Sequence, residues 1–206
     1  MAISYPLTLP AINKIQTFTV RSINAVAYSM SPFTFAGQAH AYAGQRWEID
    51  VTTKPLSIRE ARQWDAWLTS LRGQYGTFLM GDPMGYTPFG SGGGSPLVAG
   101  SGQTGGTLNI DGASTSQTDW LKAGDYIQLG TGASSTLHKV LLDVDTDGSG
   151  AASIELWPHI RTAPSNNSSV IVTNPRGLFR LADSTPSWST NYDRTVVLSF
   201  TAMEAV

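Results

Sequence analysis

Cysteine is absent from the 206 residues, and that one absence removes a disulfide framework, a thiolate zinc site and a cysteine nucleophile together. Charge is scarce as well. Asp, Glu, Lys and Arg make up 14% of the chain, against roughly 25% in an ordinary globular domain. The 13 basic and 15 acidic residues leave a net charge of -2. Lys and Arg are scattered rather than gathered into a basic face, so nucleic-acid-specific binding is not expected. No run approaches the roughly 20 apolar residues of a membrane helix, so no membrane insertion is expected. Residues 1–20 show no basic start followed by an apolar run, which predicts a soluble protein without a secretory signal, made and folded in a cytoplasm. Gly, Ser and Thr replace the missing charge, a composition that suits a surface largely covered by neighbours.

What is present is β patterning. Phe18, Val20, Ile23, Val26 and Tyr28 sit among Thr, Ser and Asn, and Trp47, Ile49 and Val51 alternate with Glu48, Asp50 and Thr52. Alternation of this kind marks strands with one buried face. Phe33-Thr-Phe35, Gly37 and Gly44 suggest a turn and a second strand, giving an antiparallel meander from Ile15 to Thr53. One helix interrupts the pattern, over 57–72. Ser57-Ile-Arg-Glu60 fits a capping box, and Ile58, Ala61, Trp64, Trp67, Leu68 and Leu71 make an apolar stripe at three- and four-residue spacing. Gly73 is placed to end it.

Thr77–Met80 reads as a short buried strand, closed by the Gly81-Asp-Pro83 turn. The stretch from Phe89 to Gly106 is dominated by Gly and Ser and predicts a flexible connection. Five short strands are then expected over 107–110, 126–129, 137–144, 152–157 and 169–173, followed by strands at 178–181 and 194–202. The chain is therefore expected to be mainly β with one prominent α-helix. Residues 1–92 plus 174–206 would form one β domain, and 93–173 an inserted small β-barrel or β-sandwich.

The search for chemistry finds little. Asp143, Asp145 and Asp147 with Gly148 match the first half of an EF-hand calcium loop. Position twelve, however, is Ile154 rather than Glu, and Asp-Gly between two β runs is also an ordinary hairpin turn. The turn is the better reading and the cation site the weaker one. His40, His138 and His159 form no ligand spacing. No nucleophile elbow or phosphate loop is present, so no catalytic residue and no cofactor are nominated. Trp47, Trp64 and Trp67 read as core. Trp120, Trp157 and Trp188 fall near expected loops or strand ends, where an indole can stack on sugar or anchor a partner protein.

Arg46-Trp-Glu-Ile-Asp50, the capped helix, and Gly73-Gln-Tyr-Gly-Thr-Phe-Leu-Met-Gly-Asp-Pro83 together resemble phrases of one known group. Ala123–Ile127, Leu137–Val140, Leu156-Trp-Pro-His-Ile-Arg161 and Gly177–Leu181 add to the likeness. The group is the distal tail proteins, and related tail-tip baseplate proteins, of long-tailed bacteriophages. The resemblance implies a tail-tube-like β-sandwich whose copies close into a hexameric ring between the tail tube protein and the tail-tip hub. It also implies a virion protein, assembled in the host cytoplasm. The inserted domain, barrel-like or galectin-like, would face outward toward side fibres or host-surface glycan. The family brings no catalytic residues. Other readings are a carbohydrate-binding module, a tube terminator or other minor tail protein, and a tail-associated hydrolase, for which no acidic pair is nominated.

Overall fold

The computed structural model describes residues 3–184 and 195–206, together with the backbone of 188–190. In chain order its strands begin with β1 (Leu7–Thr8), β2 (Ile15–Met30), β3 (Gly37–Thr53), β4 (Phe78–Met80), β5 (Gly94–Val98) and β6 (Gly105–Ala113). They continue with β7 (Tyr126–Leu129), β8 (Thr136–Val140), β9 (Ala152–Ile160), β10 (Val170–Ile171), β11 (Gly177–Leu181), β12 (Trp188–Thr190) and β13 (Val196–Glu204). One α-helix, α1 (Ile58–Ser70), is found among the described residues. The fold is mainly β, as the patterning predicts.

Two sheets divide the strands. The first runs β1-β4-β11-β13-β3-β2, with β12 paired to β13. In it the alternation of β3 does what the sequence suggests: Trp47, Ile49 and Val51 are buried, and Phe18 and Val20 face the same core from β2, opposite Val51 and Ile49. Helix α1 adds Trp64, Trp67 and Leu68 to that core, and Leu71 just past its end joins them. Its aromatic rings meet edge-on, Trp67 against Phe78 at 5.1 Å and Trp64 against Trp67 at 5.7 Å, the arrangement that the ring quadrupoles favour.

The capping box forms in full: the Ser57 hydroxyl accepts from the Glu60 amide, and the Glu60 carboxylate accepts from the Ser57 amide at 3.0 Å. A Lys14 ammonium at 2.8 Å, together with these bonds, holds the Glu60 carboxyl down to about 2. Past the helix, Arg72 and Gly73 both take positive φ, so the chain stops there as a left-handed C-terminal cap. Ile58, expected on the apolar stripe, is exposed, because the first turn extends beyond the sheet's cover and the stripe begins at Ala61.

The second sheet runs β10-β7-β8-β9-β6-β5. Its two ends meet through a bridge between Leu97 and Ser169 and a bond from the Val98 amide to the Ser168 carbonyl at 2.9 Å. The sheet thus closes nearly into a barrel around Leu108, Ile110, Trp120, Ile127, Ile154 and Leu156. Closure leaves few unpaired edge groups for aggregation to use. All of β5–β10 lies between β4 and β11, which pair with each other in the first sheet, Met80 opposite Gly177.

Three expectations need correction. The stretch 89–106 is not a flexible connection: it contains β5 and the start of β6. The Ser91 and Gly92 amides bond the Asp119 and Trp120 carbonyls, and Trp120 Nε1 donates to the Gly93 carbonyl at 2.8 Å. Glycine is needed here for proximity, since a Cβ at Gly90 would lie 2.6 Å from the Leu121 Cα. The strand expected over 137–144 ends at Val140, and Val144 makes an isolated bridge to Leu121. The last strand starts at Val196; Arg194 lies outside the described residues.

Replacing Gly90 by Ala is expected to destabilise the protein by about 1–3 kcal/mol through overpacking against the Trp120 loop. Gly148→Ala, whose Cβ meets nothing within 4 Å, should stay within about 0.5 kcal/mol of the parent. Urea unfolding of the two variants decides between a packed segment and a loose linker.

Candidate functional site

Strands β2 and β3, 16 and 17 residues long, run well past the core they start from. Every residue from Arg21 to Met30 is exposed, and so is every residue from Gly37 to Gln45 apart from the half-buried Gln45 itself. The distal half is therefore a free two-stranded arm. Pairing continues to Met30 opposite Gly37, with one irregularity where Tyr42, Ala43 and Gly44 stand against Ala25.

A tight turn closes the tip. The Ser31 carbonyl accepts from the Phe35 amide at 2.9 Å, the Ser31 amide donates to the Ala36 carbonyl at 3.0 Å, and the Ser31 hydroxyl accepts from the Phe33 and Thr34 amides. Phe33 is 92% exposed, and Phe35 is 73% exposed with a φ of 55°, a left-handed backbone that costs a non-glycine residue roughly 1–2 kcal/mol.

The arm has two different faces because side chains alternate along a strand. Val26, Tyr28 and Met30, with Ala39 and Ala41 opposite, continue the row that Phe18 and Val20 start inside the core. The Tyr28 ring lies across Gly37, where any Cβ would collide with it. The other face carries His40 and Tyr42, whose rings meet edge-on at 4.8 Å. No Asp, Glu, Lys or Arg occurs in the 24 residues from Ser22 to Gln45.

At the foot of the arm the barrel is locked on. Trp47, the first buried residue of β3, donates its indole N–H to the Leu137 carbonyl of β8 at 2.8 Å. Its ring meets the half-buried Trp157 of β9 edge-on at 4.3 Å, and the Lys139 ammonium lies over the rings of Trp47 and Tyr126. Trp157 Nε1 donates to Asn24 Oδ1 at 2.8 Å, and Gln45 Oε1 accepts from the His159 amide at 2.7 Å. Arg161 reaches both the Gln45 carbonyl and the Glu204 carboxylate. Glu204 in turn accepts from the Trp47 amide at 3.2 Å. Burial raises the Glu204 carboxyl, with Arg161 and the Trp47 amide pulling it back.

Two buried polar side chains hold the crossings between the bodies. Asp125 accepts from the amides of Phe89, Gly90 and Lys122. Gln128 accepts from the Arg176 amide at 2.8 Å and donates to the Gly130 carbonyl. The chain therefore reaches the barrel against Asp125, just before β7, and leaves it against Gln128 within β7. A buried polar group stranded without such partners would cost about 1–3 kcal/mol.

The residues nominated from sequence lie elsewhere. Asp143, Asp145 and Asp147 do not converge. Asp143 accepts from the Ala123 amide and Lys122 Nζ, Asp145 from the Asp119 amide, and Asp147 from the Ser149 and Ala151 amides and the Ser149 hydroxyl. Asp143 and Asp147 are held below the usual carboxylate range, chiefly by the Ala123 amide and the Ser149 hydroxyl respectively. Among the described residues no group of three or more His, Asp or Glu is arranged to hold a metal. The carboxylates organise turns.

Trp120 is fully buried with its indole bonded to Gly93, so it cannot stack on a sugar or meet a partner. Trp157 is half-buried, with its indole N–H donated to Asn24 in the junction. Trp188 pairs by its backbone with Leu198, and its side chain lies outside the described residues.

Sequence reasoning missed Asn24, Gln45, Asp125, Gln128, Arg161 and Glu204. Each is a single polar residue whose partner is distant in the chain, 157 positions for Glu204 and Trp47. The missing charge between Arg21 and Arg46 was the one local signal available. Comparison of the chain with protein-family models and with curated proteins returns no match. No helix among the described residues is long and apolar enough to cross a membrane.

His138, buried on β8, contacts the Pro158 carbonyl through Nδ1 at 2.6 Å and the Thr136 hydroxyl through Nε2 at 2.9 Å. Burial first, and Arg161 second, hold its pKa down to about 4 from 6.5, against the Pro158 carbonyl. Above pH 6.5 the ring is neutral in both folded and unfolded chains. As pH falls, the unfolded chain takes the proton first, so stability is lost between about 6.5 and 4, by on the order of 3 kcal/mol. Glu204 works in the opposite sense, since its raised carboxyl is protonated earlier in the folded state. The difference between wild type and His138→Gln in pH-dependent chemical denaturation isolates the histidine, and the variant should show the shallower acid loss.

Proposed function

We propose that this chain is a structural ring subunit, a distal tail protein of a long-tailed bacteriophage. In that role it joins the tail tube to the tail-tip hub and turns its barrel outward toward fibres or the host surface. The observation that carries the reading is the long, uncharged, doubly exposed β2–β3 arm. An isolated two-stranded hairpin is marginal in water, and β2 is also the free edge of its sheet, a long unpaired edge of the kind proteins normally cover. A cyclic assembly supplies that cover from an identical neighbour, with no free ends left over.

Further support comes from the resemblance of the Arg46–Asp50, helix and 73–83 segments to that family, and from the barrel locked at the arm's foot. The locked junction gives each copy one fixed angle between arm and barrel, as a closed ring requires. The role is a structural one, with no reaction assigned to it.

Negative-stain microscopy of the purified protein, with mass photometry over a rising concentration series, tests the reading. Closed rings with cyclic symmetry are expected, six-fold if the family likeness extends to stoichiometry. A strictly monomeric particle at the highest soluble concentration would overturn it.

A further inference from the structure

A groove of about 620 Å³ opens beside the junction, between the barrel and the end of β13. Its apolar lining includes Leu129, Ala133, Ile160, Ala163, Pro164 and Val206. The size lies inside the roughly 300–1,000 Å³ range of sites that enclose a compact guest. Arg161 and Glu204 also line it, paired with each other across 3.4 Å. His138 lines it as well, with both ring nitrogens already engaged.

The same chain carries a guest of matching character. The arm tip, Ser31 to Ala36, presents the exposed rings of Phe33 and Phe35 on a turn without a charged group. Holding a phenyl group in water on a left-handed backbone, where glycine would sit at no steric cost, points to a phenyl that is used.

A copy cannot fill its own groove. The groove adjoins Arg161, which bonds the Gln45 carbonyl at the arm's foot. The ladder from Asn24 opposite Gln45 to Met30 opposite Gly37 sets the tip roughly 20 Å beyond that foot, at about 3.4 Å per residue. The paired strands prevent the tip from folding back. Size agrees too: the 24 uncharged residues of the arm fall within the roughly 20–30 residues that one side of a stable interface contributes.

We infer that the arm of one copy lies across the next, with Phe33 and Phe35 seated in that neighbour's junction groove. The contact is head-to-tail, since tip and groove are different surfaces of one chain, and a head-to-tail contact closes into a ring when its rotation permits. This inference rests on the ring reading above and names the surfaces that join.

The absence of cysteine makes the test clean. Thr34→Cys places a thiol between the two phenylalanines, and Ala163→Cys places one at the groove's rim. Under mild oxidation the double variant is expected to give a ladder of covalent multimers. Its crosslinking should be roughly a hundredfold faster than in either single variant, because docking holds the thiols at about millimolar effective concentration. Adding Phe33→Ser and Phe35→Ser should abolish the ladder while circular dichroism stays unchanged.

Wild-type rings, seen in the same buffer, with no ladder from the double variant would overturn the arm-in-groove contact and leave the ring reading standing. A ladder with only open chains would support the contact and overturn the closed ring. Monomers without a ladder would overturn both. Phosphatidylcholine vesicles provide a further check: the protein should stay behind in flotation, and co-flotation that depends on Phe33 and Phe35 would assign the arm to lipid instead.

Discussion

The Trp47 indole is the constraint on which the rest of the molecule turns. It is the first buried residue that β3 meets on coming in from the arm, and from there the strand alternates into the core. Its N–H is satisfied by the barrel, its ring meets the barrel's Trp157 edge-on, and its amide holds Glu204 of the last strand. One side chain thus ties the first sheet, the barrel and the chain's final strand together at the point where the arm leaves them. Polar groups buried at such a point bond strongly in a low-dielectric setting and are costly when left unpaired, so the contacts around Trp47 hold a single geometry.

That geometry explains how an insertion of this size remains fixed. The crossings into and out of the barrel are clamped by Asp125, just before β7, and Gln128 within it. Glycines at these places serve close approach to the Trp120 loop, a role in which their small size matters more than their freedom. The barrel keeps an apolar core of its own, and it also lends Tyr126 and Leu137 to the core of the first sheet, with hydrogen bonds and aromatic edges around them. Directional contacts from Trp47, Asn24 and Gln45 add orientation to that packing.

Scarcity of charge, a property of the whole composition, becomes specific once it is placed in space. It is most complete along the arm, where exposure is greatest. Water would normally be met there by Lys and Glu, and edge strands in particular use them to discourage pairing. An arm without these residues is suited to lying against protein. The ring reading and the head-to-tail contact both express that one property.

Much of the fold was legible locally. Capping box, helix stripe, strand alternation at 47–51 and the position of the short strands all follow from nearest-neighbour periodicity, which a linear sequence displays directly. The Gly/Ser stretch misled for a physical reason: composition records how freely a segment can bend, and glycine is chosen equally for bending and for close packing. The three aspartates misled similarly, because spacing along the chain shows that carboxylates can converge but not whether backbone amides reach them first. The absence of cysteine and the uncharged run from Ser22 to Gln45 were determined by the sequence alone. Which of the strand residues beyond Arg21 lose their cover, which tryptophan faces inward, and which polar residues meet at Trp47 were decided only by tertiary structure, since each depends on contacts distant in the chain, from 27 positions between Trp120 and Gly93 to 157 between Glu204 and Trp47.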